Sequence, residues 1–115
     1  MQLPISPEKI AHIIIRARKF DADVPGSGQG RELRAFIAAL NEDEQAGLTA
    51  VMWIGRETFD AEELDEAINT ARAEASAPTE DYLMGIPMLA DYLEDGLNAL
   101  GITLDDAQED FDHPV

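Results

Sequence analysis

The chain contains no cysteine. Disulfides, thiolate metal sites and cysteine nucleophiles are therefore excluded. Aromatic residues are scarce, at 6% of 115 positions, so aliphatic side chains and alanine must fill the interior. Basic residues are scarce as well: eight Lys and Arg stand against 24 Asp and Glu, for a formal charge of −16. That balance argues against direct nucleic-acid binding, which needs cations for the phosphates, and against docking on anionic lipid. Long hydrophobic runs are missing too. The longest mostly apolar stretch, Ala46 to Gly55, is about half a bilayer span, so it is expected to be a buried helix and no membrane insertion is expected. The opening Met1-Gln2-Leu3-Pro4 has neither a basic nor a long apolar segment. No targeting signal is read there, and a cytoplasmic location is the default expectation.

What remains is enough for one modest core, since 45% of residues are hydrophobic and the length suits a single domain. Charge is unevenly placed. Residues 1–34 hold six basic residues and four acids, whereas residues 35–115 hold two basic residues and twenty acids, a local charge of −18. A chain polarised in this way can draw its own N-terminal helix onto the acidic remainder and still present a negative face to a partner.

Hydrophobic spacing predicts helices throughout. Ser6 as N-cap, Pro7 at the first helical position and Glu8 near the positive dipole end start the first helix. Ile10, Ile13, Ile14, Ala17 and Phe20 share one face, with Ile15 off it. Residues 21–30, with three Gly and one Pro, read as a loop. A second helix runs from about Arg31 to Leu40. Asn41 and Glu44 form a capping box for a third, which reaches Ile54, with Gly55 as its expected terminator and Leu48–Ile54 apolar nearly all round. Asp60 and Glu63 open a fourth helix carrying Leu64, Ile68, Ala71 and Ala75 inward. A short turn spans Thr79 to Met84. The last strong helix presents Met88, Leu89, Tyr92, Leu93, Gly96, Leu97 and Leu100, and ends at Gly101. No segment alternates as a strand would. The expected fold is all-α: a compact helical domain of about five helices over residues 1–101, with orthogonal or bundle-like packing, followed by an acidic tail over 102–115.

The strings Glu32–Gln45 (ELRAFIAALNEDEQ), Trp53–Arg56 (WIGR) and Tyr82–Leu97 (YLMGIPMLADYLEDGL) resemble a bacterial family filed as domain of unknown function 3775, and Ile5–Ala22 is similar as well. The resemblance implies an all-helical domain of alphaproteobacterial type and carries no activity. Two departures stand out from that pattern. The loop after the first helix is short, and Glu57 occupies a place where Gly is common. The acidic tail lies beyond the shared region.

Candidate sites are few. The loop 21–32 has Asp21, Asp23, Gly26 and Glu32 at positions 1, 3, 6 and 12 of a calcium-binding loop, but Pro25 at position 5 offers no oxygen and Gly28 lacks the pairing side chain. The same loop, with Gly26, Gly28 and Gly30 ahead of a helix bearing Arg31 and Arg34, can be read as an anion cradle, although no strand precedes it as a dinucleotide site requires. A helix-turn-helix reading fails because the recognition helix would begin Glu42-Asp43-Glu44. His12 falls in a charged row between Glu8 and Arg16, His113 lies in the tail and Ser6 is committed to a cap, so no catalytic constellation is read and no cofactor is implied. Trp53 and Arg56 allow two readings: a core ring with a cation at a helix C-terminus, or a partner hot spot.

The expected function is therefore non-enzymatic: an acidic helical adaptor or accessory subunit that binds a basic protein surface, with nucleic-acid mimicry as one variant. Asp91, Glu94 and Asp95 would form the acidic face, and Ile15, Trp53 and Arg56 are candidate contacts. The competing expectation is a small ligand- or ion-binding domain, or an enzyme, built on loop 21–32. Because the acids of residues 35–115 repel more in the compact state than in the expanded chain, added NaCl should raise the melting temperature near pH 7. A melting temperature that falls with salt would show that internal pairing outweighs the repulsion.

Overall fold

A computed structural model describes residues 3–22 and 29–105. Its elements are α1 (Pro7–Ala22), α2 (Gln29–Ala38), α3 (Glu42–Gly55), a single 3-10 turn at Ala61–Glu63, α4 (Leu64–Ala73), α5 (Thr79–Met84) and α6 (Leu89–Ala99). The fold is all-α, and no strand occurs among the described residues. The segment expected as a short turn at 79–84 is a helix of its own, entered from Pro78, whose carbonyl accepts from the N–H groups of Asp81 and Tyr82 at 3.0 and 3.1 Å.

Helix starts follow local chemistry. Ser6 Oγ and its carbonyl oxygen accept from the Lys9 N–H at 3.3 and 3.1 Å. Asn41 Oδ1 accepts from the Glu44 N–H at 2.8 Å while Glu44 Oε1 accepts from the Asn41 N–H at 3.0 Å, closing the capping box that orders the first turn of α3. Glu63 Oε1 accepts from the Asp60 N–H at 2.9 Å, but the first turn there is 3-10, so α4 begins at Leu64.

The third helix is central. Every residue from Ala46 to Ile54 is buried. It packs against α6, α4 and α5, while α1 packs on α6 and α2, and α2 also meets α5. Ile10, Ile13, Ile14, Leu33, Ile37, Leu48, Val51, Met52, Leu83, Leu93 and Leu97 are sealed from solvent. The side chain of Phe20 lies outside the described residues. Packing continues past Gly101, since Ile102 and Leu104 lie against the core and the Ile102 N–H bonds to the Leu97 carbonyl at 2.9 Å. Met88 departs from its expected inward placement: it is the αL N-cap of α6, φ 63°, and 57% exposed.

The α3–α6 contact is backbone on backbone. A Cβ at Gly96 would lie 2.1 Å from the Val51 carbonyl oxygen, and one at Gly55 would lie 1.7 Å from the Tyr92 carbonyl oxygen. Gly55 is thus not the terminator of α3 that the sequence pattern suggested; it is a contact residue inside the helix. The terminator is Glu57, with φ 68°. Its N–H bonds to the Ile54 carbonyl at 3.0 Å, and the Thr58 N–H bonds to the Trp53 carbonyl at 2.9 Å, which is the Schellman pattern. The same pattern ends α6, with Gly101 at φ 84°, Gly101 N–H on Asn98 and Ile102 N–H on Leu97. One helix therefore uses glycine at the left-handed position and the other uses a glutamate, which bears the steric cost of its Cβ.

These two facts predict opposite outcomes in denaturant unfolding. Gly96→Ala should destabilise by about 3 kcal/mol or more, because the methyl meets backbone that has no room to shift. Glu57→Gly should stabilise by about 1 kcal/mol, by relieving the left-handed residue. An unchanged midpoint for Gly96→Ala would show that α3 and α6 do not cross this closely.

Candidate functional site

The basic residues decide which acids remain available. Lys9 on α1 pairs with Glu44 on α3 at 2.5 Å. Arg18 on α1 reaches α6, meeting Asp91 at 3.2 Å and Glu94 at 2.5 Å. Arg34 on α2 pairs with Asp81 on α5. Arg72 on α4 pairs with Asp43 on α3 at 2.6 Å. The basic N-terminal third is thus tied to the acidic remainder through Lys9, Arg18 and Arg34. Apart from the shielded Glu44, these side chains are substantially exposed, so the pairs add little to stability; their larger effect is to neutralise acids that would otherwise face a partner.

This changes the meaning of the expected acidic face. Asp91 and Glu94 already serve Arg18, and only Asp95 of that trio has no ion-pair partner among the described residues. The unpaired acids cluster elsewhere. Glu57, Asp60, Glu62, Glu63, Asp65 and Glu66 are all exposed, no Lys or Arg lies between Glu57 and Ala71, and none of the six enters an ion pair among the described residues. Asp95 borders the same surface concavity as Glu57 and Asp60.

Trp53 is 8% exposed and belongs to the core, with its Nε1–H donating to Tyr82 Oη at 3.0 Å and its ring 5.7 Å from that of Phe59. Tyr82 is 38% exposed. This pair bounds a cavity of about 200 Å³ between α3, the end of α4 and the connection to α5, with Thr49, Glu74 and Thr79 in its wall. An outer cavity of about 630 Å³ continues from it, sharing Thr49, Ala71, Ala75, Ala77 and Thr79, and reaching Glu42, Asp43 and Glu80. Alanines make this groove: where larger side chains would interdigitate, Ala71 and Ala75 leave the space open. The groove was not apparent in the sequence, where Ala71 and Ala75 read as an inward stripe.

The other candidates are dispersed. Arg56 caps α3, and its side-chain Nε–H donates to Thr58 Oγ1 at 3.2 Å. Ile15 is half-buried on α1. Of the calcium-loop residues, Glu32 accepts from Arg16 Nη1 at 2.7 Å. Asp21 falls within the span of α1 and its side chain lies outside the described residues, as do Asp23 and the glycines Gly26 and Gly28. Among the described residues no group of three or more His, Asp or Glu converges to hold a metal ion, and no helix is long and apolar enough to cross a membrane. His12 is not in a solvated row: it is half-buried, with its ring 4.6 Å from Phe36 of α2.

The arrangement defines an all-α domain whose surface carries an acidic stretch and an alanine-lined groove, with no assembled catalytic group among the described residues. A family model described as "Protein of unknown function (DUF3775)" matches residues 30–102, from the first turn of α2 past the end of α6. The chain belongs to that family. Neither the curated proteins nor the solved structures give a match.

His12 and Glu44 link stability to pH at and below neutrality. Burial, with Arg16 and Lys19 nearby, lowers the pKa of His12 below the ordinary histidine value. The unfolded chain therefore takes up a proton before the folded one, so this contribution is full above about pH 6.5 and is lost as pH falls through the window beneath it. Lys9 and the Asn41 N–H hold the Glu44 carboxyl below its usual range, so its contribution persists until pH falls through the carboxylate range. Relief of carboxylate repulsion acts in the opposite direction, so the check is a difference. On acidification from pH 7.5 to 5.5 the wild type should lose stability relative to His12→Leu, as read by urea unfolding at each pH. Parallel curves for the two proteins would contradict the lowered pKa of the half-buried imidazole.

Proposed function

We propose that this protein is a non-enzymatic acidic adaptor or accessory subunit that recognises a basic surface on another protein, with mimicry of a nucleic acid's charge as a variant of the same physics. One observation carries the reading. After internal pairing has used Lys9, Arg18, Arg34 and Arg72, six exposed acids within ten residues, Glu57 to Glu66, enter no ion pair among the described residues. Such a one-sided field accelerates encounter with a basic partner and discriminates against acidic ones. Tyr82 and Met88, the exposed large hydrophobics, supply the apolar contact that rim charges alone do not. We take the origin to be bacterial on the strength of the family resemblance, and the cytoplasm as the default location. The competing reading, a ligand site on loop 21–32, is weakened by the engagement of Glu32 with Arg16.

The test is affinity capture from bacterial lysate at low and high salt, comparing the wild type with Glu62→Gln/Asp65→Asn/Glu66→Gln. These positions are exposed on the 3-10 turn and the first turn of α4. The wild type should retain a protein partner at low salt, and both high salt and the triple variant should slow its association, with the circular dichroism spectrum unchanged. Capture unaffected by salt and by the substitutions would exclude the acidic stretch as the recognition element. Substituting Asp91 and Glu94 instead would strip Arg18 of its partners and mix stability with recognition.

A further inference from the structure

The groove beside Trp53 brings aromatic rings, hydroxyls and carboxylates together. Its wall combines two aromatic rings, Trp53 and Tyr82, with the buried hydroxyl-bearing Thr49, with Thr79 and with the carboxylate of Glu74. Its outer continuation adds Glu42, Asp43 and Glu80, and among the described residues the only cation lining either part is Arg72, already bonded to Asp43 at 2.6 Å. The lining therefore carries uncompensated negative charge around an apolar, alanine-walled channel. The inner cavity, about 200 Å³, falls below the roughly 300 Å³ at which drug-sized ligand pockets begin, so it suits a single side chain.

From this complementarity we infer that the groove seats an arginine side chain presented by the basic partner protein; the inference rests on the adaptor reading and deepens it. A guanidinium is planar and weakly hydrated, so it can lie against the exposed Tyr82 ring and enter an apolar channel at lower desolvation cost than an ammonium. Its five donors match the acceptors available: the Glu74 carboxylate and the hydroxyls of Thr49 and Thr79. A lysine ammonium would be drawn by the same charges but lacks the flat face. Arg72 supplies a precedent within the molecule, as a guanidinium in the wall of the outer groove bonded to an α3 acid. Ala75, exposed and common to both parts of the groove, is the position from which a larger side chain would close it.

The experiment uses the full chain and a fluorescein-labelled peptide of alternating glycine and arginine, with glycine–lysine and glycine–glutamate peptides for comparison. Binding is read by anisotropy and by emission of Trp53, the one tryptophan in the chain. The arginine peptide should bind about tenfold tighter than the lysine peptide and shift Trp53 emission. Ala75→Leu should weaken it by about tenfold or more with the melting temperature unchanged. Glu74→Gln/Glu80→Gln, which leaves the groove's shape intact, should weaken it as well and covers the case in which Ala75→Leu folds poorly. Equal affinity for the lysine peptide, or full binding by both groove variants, would overturn the assignment. If the Glu62/Asp65/Glu66 variant alone loses the peptide, the groove inference fails while the acidic-adaptor reading stands. A chain that captures a salt-sensitive partner yet ignores the arginine peptide would likewise overturn the groove inference and leave the adaptor reading in place.

Discussion

The close crossing of α3 and α6 is the constraint on which the rest of the molecule depends. Gly55 and Gly96 let two backbones meet where any Cβ would overlap a carbonyl oxygen. At that separation α3 becomes a central rod that is buried over nine consecutive residues, Ala46 to Ile54. The other elements then arrange around it: α4 and α5 against α3, and α1 against α6 with α2 beside it. A chain with so few aromatic rings gains from such a contact. Dispersion between closely packed backbones compensates for the large side chains it lacks.

Electrostatics is organised by the same frame. The N-terminal helices carry most of the cations, and the frame sets α1 against α6 and α2 against α5, so Arg18 meets Asp91 and Glu94 while Arg34 meets Asp81. Lys9 meets Glu44, a residue already engaged in the capping box of α3. These pairs leave the segment from Glu57 to Glu66 as an acidic surface whose carboxylates enter no ion pair among the described residues. That segment begins at the left-handed Glu57, so a strained helix terminus and the start of the acidic surface coincide at one residue. The alanines of α4 and of the connection that follows it leave the groove beside Trp53 open, and its rim carries the same sign of charge.

Much of the local structure was legible in the sequence, and for specific reasons. The Ser6 cap, the Asn41–Glu44 capping box and the Gly101 terminator are short-range devices, each complete within a few residues, and each is present in the fold. The apolar run Leu48 to Ile54 required a buried helix, because no amphipathic face could be drawn on it. The charge imbalance between residues 1–34 and 35–115 made attraction between the two parts an electrostatic necessity.

What the sequence could not determine was which partner each residue would find. Gly55 carries the local signature of a helix terminator, and only the approach of α6 makes it a contact residue, passing the left-handed position to Glu57. His12 looked like a solvated member of a charged row until α2 laid Phe36 over it. Asp91 and Glu94 looked like a free acidic face because Arg18 lies more than seventy residues away along the chain. Ala71 is the core position it was read to be, but Ala75, read as inward too, is exposed past the end of α4, and the two help to line an open groove. The sequence by itself determined helix, cap and net charge, because those depend on neighbours within a turn or on sums over the chain. Tertiary structure alone decided which acids remain unpaired, which glycine is a contact and where a cavity opens, because those depend on distances between residues remote in sequence.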